Sequence, residues 1–263
     1  MLGLEQKCSS MNEVEALRKY WLSEEVAAFQ GWDFSHLDGR MTEETLPWDY
    51  RKLIQKHIRP ENRLLDIGTG GGEFLLSLNH PRQRTCVTEA YPPNVNLCIE
   101  RLAPLGITVR QMSDDKLIPY NDEEFDIVLN RHESFDAHEV FRILKPNGVF
   151  ITQQIGGENN RHLSELLIDD FSPSFEQHNL EKNYSLLNTA GFAITYSGEF
   201  YPKLQFSDIG AIVYFAKILE WEFPGFSVKR CFDILLGLQR SLEEQTFIES
   251  RGHRFYLVAK KLG

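Results

Sequence analysis

The stretch Arg63–Gly72, Arg-Leu-Leu-Asp-Ile-Gly-Thr-Gly-Gly-Gly, constrains the fold of this chain more than any other segment. A short apolar run ends in Asp66 and breaks into alternating glycines at Gly68, Gly70 and Gly72. Glu73-Phe-Leu-Leu-Ser-Leu follows at once. The pattern reads as a buried strand, a tight turn and a helix start. Glycine admits positive φ and lets a ligand approach the main chain. Free N–H groups at a helix start favour a negatively charged group such as a phosphate or carboxylate.

The spacing of these glycines departs from two common nucleotide loops. In a Gly-x-Gly-x-x-Gly dinucleotide fingerprint counted from Gly68, the third glycine falls on Glu73. Counted from Gly70, Gly72 matches but the third position is Leu75. No Gly-Lys-Ser/Thr follows, so the P-loop pattern is not met either. What remains is an acid two residues ahead of alternating glycines.

Hydrophobic periodicity orders the rest of the chain. Val14, Leu17, Trp21, Leu22 and Val26 predict an amphipathic helix over 11–30, stopped by Gly31, with an ordered loop over 31–47. Tyr50, Leu53, Ile54, His57 and Ile58 predict a helix between Pro47 and Pro60. Strands are expected over 84–90, 107–113, 125–130 and 149–154. Between them come a helix over 95–105, ended by Gly106, and another opened by the capping-box spacing Asp136-Ala-His-Glu139. Beyond these, the pattern predicts helices over 163–167, 180–190, 209–221 and 228–244, and strands over 192–201 and 253–260. Strand and helix alternation of this kind implies an α/β, Rossmann-like doubly wound, mostly parallel sheet.

Composition narrows the partners. A net charge of −10 over 263 residues argues against a broad nucleic-acid footprint. Cys8, Cys86, Cys98 and Cys231 are scattered, without metal-ligand spacing, so neither a metal site nor a disulfide framework is expected. Reduced thiols suit a cytoplasmic protein, and the N-terminal residues lack the apolar run of a signal peptide. The longest apolar run, Ile209–Leu219, is interrupted by Lys217 and is too short to span a bilayer, so no membrane partner is expected.

Strand ends are where an open parallel sheet binds ligands. The second strand ends at Glu89 in Val-Thr-Glu-Ala-Tyr, where a carboxylate can accept from two ribose hydroxyls; a nicotinamide-nucleotide site uses an acid in the same way. The third strand leads into Ser113-Asp-Asp-Lys-Leu-Ile-Pro-Tyr120, then Phe125-Asp126. The turn Leu144-Lys-Pro-Asn-Gly-Val-Phe150 precedes the fifth strand, with Asn147 at a position that tolerates left-handed backbone. With Asp66-x-Gly68-x-Gly70, these segments resemble the class I S-adenosylmethionine-dependent methyltransferases, a methyltransferase type 11-like domain, over residues 63 to about 155 and weakly over the last strand.

The resemblance implies a seven-stranded sheet with an antiparallel last strand and S-adenosyl-L-methionine as cofactor. It implies a cofactor set of Asp66, Gly68, Thr69 and Gly70 at the amino-acid tail, Glu89 and Ala90 at the ribose, Asp114 and Asp115 at the adenine, and Asn130 beside the methyl group. Asn130-Arg-His-Glu133 are the substrate-side candidates. His132 is a candidate general base, against the plainer reading that this polar cluster only caps or pairs.

The chain divides by expectation into an N-terminal helical extension or cap (1–60), a Rossmann-like domain (61–202 and 251–263) and a helical insertion (203–250) serving as a substrate lid. Phe206, Tyr214, Phe215, Trp221, Phe223 and Phe226, with Trp32, Phe34, Trp48 and Tyr50, form either that lid or ordinary helix-packing core or a dimer face. The expected acceptor is a small molecule, with RNA or protein left open. The rival readings are a nicotinamide-dependent oxidoreductase and a non-catalytic nucleotide-binding module.

Overall fold

The computed structural model describes the backbone of residues 2–29 and 33–263 and the side chains from Asn12 onward. Gly31 and Trp32, expected at the helix stop and in the lid, and the Cys8 side chain lie outside the described residues. In chain order the strands are β1 (Met41–Glu43), β2 (Leu64–Ile67), β3 (Thr85–Glu89), β4 (Thr108–Gln111), β5 (Phe125–Arg131), β6 (Leu144–Ile155), β7 (Phe192–Phe200), β8 (Lys203–Phe206), β9 (Ile248–Arg251) and β10 (Arg254–Lys261). The helices are α1 (Leu2–Glu25), α2 (Tyr50–His57), α3 (Glu73–Leu76), α4 (Pro92–Arg101), α5 (Ala137–Ile143), α6 (Arg161–Leu167), α7 (Leu180–Thr189), α8 (Ile209–Ile218) and α9 (Val228–Glu244). They divide into two units, one of residues 1–45, 158–174 and 201–252, the other of residues 46–157, 175–200 and 253–263.

The second unit is a seven-stranded sheet in the order β4-β3-β2-β5-β6-β10-β7. The pairs β3–β4, β2–β3, β2–β5 and β5–β6 are parallel, and β10 runs antiparallel between β6 and β7. The expected α/β sheet with its antiparallel last strand is therefore present. Alternate strand residues enter cores on opposite faces, Leu65, Ile67, Val128 and Phe150 on one and Leu64, Ile127, Leu129 and Ile151 on the other. Burial on both faces explains why these strands read as continuous apolar runs. The turn Lys145–Gly148 lies inside β6 as a register shift, with Asn147 at φ +67°.

Helix caps fix the elements flanking the carboxyl edge of this sheet. The Asp49 side chain accepts from Lys52 N–H and starts α2 two residues later than the proline spacing predicts. The Tyr50 hydroxyl, on the first turn of α2, lies 3.0 Å from the carbonyls of Asn130 and Ile151 and shares its single proton between the tips of β5 and β6. Asp136 accepts from the N–H groups of His138 and Glu139, but Glu139 does not complete a capping box. Its carboxylate accepts instead from Ile118 N–H at 2.9 Å, while Arg142 donates to the carbonyls of Ile118 and Tyr120. Helix α5 thereby holds the loop that follows β4.

The other unit packs α1, α6, α8 and α9 with a three-stranded antiparallel sheet in the order β1-β8-β9. Helix α1 starts earlier and ends earlier than its periodicity predicts. The ordered loop after it contains β1, and the insertion expected to be helical contains β8 and β9. These strands are three and four residues long, and Met41 pairs with Phe206 across the sequence, so no local alternation announces them. Phe206, Tyr214, Phe215, Phe223 and Phe226 are buried in this unit's own core, and of the six insertion aromatics assigned by expectation to the lid only Trp221 is exposed. Five of the six therefore serve helix and sheet packing within the unit. Arg40 joins the unit's elements with ion pairs to Glu24 at 3.0 Å and Asp208 at 2.8 Å. Among the described residues, no helix is long and apolar enough to cross a membrane.

Candidate active site

The loop after β2 turns on three glycines in left-handed backbone, Gly68 at φ +68°, Gly70 at +61° and Gly72 at +79°. The N–H groups of Gly68 and Thr69 reach back to the Thr88 carbonyl at 3.0 and 3.3 Å, tying the loop to β3. Gly72 caps α3, a helix too short to act as an anion site through its dipole. A Cβ at Gly70 would meet nothing within 4 Å, so the loop borders open space there. A Cβ at Gly68 would lie 2.5 Å from Cγ of Glu133, so only glycine lets the segment after β5 close over the loop. Gly68→Ala is expected to cost about 1–3 kcal/mol through the left-handed backbone and the displaced Glu133. A urea-unfolding midpoint equal to that of the unaltered protein would contradict this packing.

Carboxylates converge on the loop from three strand tips. Asp66, buried at the end of β2, has its pKa raised to about 6 by burial; the nearby Thr69 hydroxyl and Arg131 oppose the shift and Glu89 reinforces it. Glu89 is buried at the tip of β3, and its Oε2 accepts from Gly70 N–H at 2.8 Å. Its Oε1 accepts from the N–H groups of Ala90 and Tyr91 at 3.0 and 3.1 Å. Burial, and the charges of Glu89 and Asp115, also raise the Glu133 carboxyl, against lowering bonds from Ser134. An acidic rim of this kind suits a cationic ligand group rather than a pyrophosphate.

Asp114 and Asp115 lie in the turn after β4. The Asp114 side chain accepts from Lys116 N–H at 2.9 Å, which shapes the turn, and Asp114 itself is exposed. Asp115 is half-buried and close enough to Glu133 to act on its charge. The structure thus brings Asp66, Gly68, Thr69, Gly70, Glu89 and Ala90 together, with Asp115 in electrostatic reach through Glu133.

Asn130 stands apart from this group. It is fully buried, and its Oδ1 accepts from the Thr152 hydroxyl at 3.0 Å and the Gln154 amide at 2.5 Å. Strand register pairs it with Ile67, so its side chain points away from the face that carries Asp66. Its Nδ2 donates to the Ser134 carbonyl at 3.5 Å, so the side chain ties the end of β5 to β6 and to the segment that follows β5.

His132 follows β5 in left-handed backbone at φ +62°, held by its N–H to the Gln153 carbonyl at 2.9 Å. A non-glycine residue in this region is strained, and such strain collects at functional sites. The ring is reachable by solvent, yet the protein around it, with Arg254 and Arg131, lowers its pKa to about 3. At that pKa His132 is neutral at pH 7 and a weak proton acceptor. Nearby, the Trp48 indole N–H donates to Gln153 Oε1 at 2.9 Å and the ring packs on Tyr256 at 4.9 Å. Sequence reasoning missed the Glu133–Gly68 contact and the Glu89–Gly70 bond because both join residues distant in the chain. The one usable sign was the acid ending each segment. Among the described residues, no group of three His, Cys, Asp or Glu side chains is placed to hold a metal ion.

Residues 65–152 match the family model described as a methyltransferase domain. The chain also superposes on solved structures. The YcgJ protein of Bacillus subtilis is 18% identical, with a TM-score of 0.56 over 81% of this chain and 98% of that one. A candidate methyltransferase of Bacillus halodurans is 15% identical, with a TM-score of 0.53 over 82% of this chain and 99% of that one. A protein of unknown function from Deinococcus radiodurans is 12% identical, with a TM-score of 0.52 over 84% and 92%. At these identities the likeness is one of fold. No curated protein matches the chain.

Proposed function

We propose that this chain, whose residues 65–152 match a methyltransferase domain, is a class I enzyme that transfers a methyl group from S-adenosyl-L-methionine to a small-molecule acceptor by direct displacement. The observation that carries the reading is the pairing of an open glycine loop at Gly70 with two buried carboxylates, Asp66 and Glu89, on a sheet with this strand order. Buried carboxylates suit the positive charge and the hydroxyls of a sulfonium nucleoside, and the space beside Gly70 suits close backbone approach.

In this reading Asp66 and the Gly68-Thr69-Gly70 backbone receive the amino-acid tail. Glu89 accepts from the ribose hydroxyls, with Ala90 holding the carboxylate in place. Asp114 accepts from the adenine amino group, and the Asp115 N–H faces the ring. Asn130, through its bonds to Thr152 and Gln154, acts as a positioning residue for the tips of β5 and β6. Bound there, the cofactor supplies a methyl group on a good leaving group. The protein's share is alignment of the acceptor and exclusion of water. The acidic balance of the chain supports a small molecule over a polyanion.

His132 keeps a place beside the acceptor but not as a strong base. His132→Ala should lower turnover by less than about tenfold, well inside the range of 10²–10⁴ typical of a lost general base. Cofactor affinity should be unchanged. A loss beyond a hundredfold in turnover would return the base role to this imidazole. The function as a whole is tested by incubating the protein with methyl-labelled S-adenosylmethionine and a small-molecule extract. Labelled product that disappears in Glu89→Ala supports it, whereas cofactor binding with no product across extracts would favour a non-catalytic module.

A further inference from the structure

Two charges of opposite sign share one face at the carboxyl edge of the seven-stranded sheet. Register pairs Asp66 of β2 with Leu129 of β5, and Arg131 ends β5 two residues later. Residues two apart on a strand share a face, so Asp66 and Arg131 project on the side of Leu64 and Leu129. Tyr50 of α2 and Phe74 of α3 pack on that side. Phe74 lies in the first turn of α3, directly after the glycine loop, and stacks on Tyr50 at 5.5 Å.

Phe74 supports the guanidinium of Arg131, whose Cζ lies 4.5 Å from the ring centroid. A second arginine, Arg51, reaches the same ring at 5.5 Å, but it donates to the carbonyl and the hydroxyl of Ser77 at 2.6 and 2.7 Å. The Arg131 side chain is exposed and makes no hydrogen bond among the described residues. Its N–H donors remain for water or a ligand.

Asp66 and Arg131 act on one another without joining. Burial raises the Asp66 carboxyl, while the Thr69 hydroxyl and the Arg131 charge oppose the rise. Even so, the two side chains form no ion pair among the described residues. A cation that served only to neutralise this buried carboxylate would close on it, because removal from water is offset only by close, bonded geometry. Held apart, the two groups suit a ligand end that carries both opposite charges. The zwitterionic form of an α-amino acid has an ammonium and a carboxylate on one carbon, and the glycine loop borders open space at Gly70.

We propose that Arg131 receives the carboxylate of the cofactor's amino-acid tail while Asp66 faces its ammonium, so that the site selects a zwitterionic end. This deepens the methyltransferase reading above and rests on it. An arginine–carboxylate contact is charge-assisted and can be bidentate, and the Phe74 ring limits the positions that the guanidinium visits. Fixing the tail at both charges also fixes the sulfur that joins it to the ribose.

The test is a cycle of two proteins and two ligands, read by calorimetric titration of the full-length chain. The ligands are S-adenosylhomocysteine and its decarboxylated analogue, which keeps the amino group and lacks the carboxylate. Arg131→Gln should weaken S-adenosylhomocysteine by about tenfold or more and change the analogue by less than about threefold. Arg131→Lys should lose less S-adenosylhomocysteine affinity than Arg131→Gln, since it keeps the charge without the planar fork. Equal losses for both ligands would mean that Arg131 supports the loop and not the carboxylate. Unchanged S-adenosylhomocysteine affinity in Arg131→Gln would mean that the carboxylate lies elsewhere. Either result overturns the proposal while leaving the cofactor assignment intact. Failure of the unaltered protein to bind S-adenosylhomocysteine would instead remove the reading on which the proposal stands.

Discussion

Glu89→Ala should weaken S-adenosylhomocysteine binding by at least a hundredfold. Charge-assisted hydrogen bonds contribute about 1.5–3 kcal/mol each, and two ribose hydroxyls would lose theirs together. The structure adds a second route to the same loss. Glu89 also accepts from Gly70 N–H, so its removal frees the glycine loop from the position that the ligand requires. The cost to the fold should stay small by comparison, because Ala90 and Tyr91 are exposed and water can replace the bonds their N–H groups lose. Calorimetric titration beside a far-ultraviolet circular dichroism spectrum separates the two effects. A native spectrum with undiminished affinity would remove Glu89 from the site.

A second large effect is predicted with pH. Asp66 has a folded pKa near 6, raised by burial from the ordinary 3.8. An acid shifted upward stabilises the fold least when ionised. Through this group, stability is greatest below about pH 4, falls as pH rises toward 6, and is constant above. The penalty is on the order of 3 kcal/mol, taking about 1.4 kcal/mol per pH unit. A cationic ligand group recovers part of it by stabilising the carboxylate. Affinity for S-adenosylhomocysteine, whose amino group stays protonated throughout, should rise about tenfold from pH 5 to pH 7 with proton release on the acidic side. Asp66→Asn should remove most of that slope; a slope that survives the substitution would place the amino group elsewhere.

Local patterns carried the sheet and failed at long-range contacts. Strands β2, β3, β5 and β6 were legible because both their faces are buried, which leaves apolar runs bounded by glycine or an acid. Strands β1, β8 and β9 left no such trace, since their pairing joins Met41–Glu43 with residues more than a hundred and fifty positions away. The aromatic residues of 203–250 announced a hydrophobic cluster but not its partner, and Phe206, Phe215 and Phe223 turned inward. At the site, Asp66, Gly68 and Gly70 could be read from spacing. The closure of Glu133 on Gly68 and the consumption of Asn130 by Thr152 and Gln154 arise from strand register, which no local window contains. The lowered pKa of His132 comes first from the protein packed around it and then from Arg254, which lies far along the chain and reaches the same edge only because β10 inserts beside β6.

The most direct test of the account is a calorimetric titration of the unaltered protein at pH 7 with S-adenosylhomocysteine and, in parallel, with NADH. The account predicts a one-to-one saturable heat with S-adenosylhomocysteine and none with NADH. Binding of NADH alone would mean that the loop from Asp66 to Gly72 cradles a pyrophosphate and that the chain is no methyltransferase.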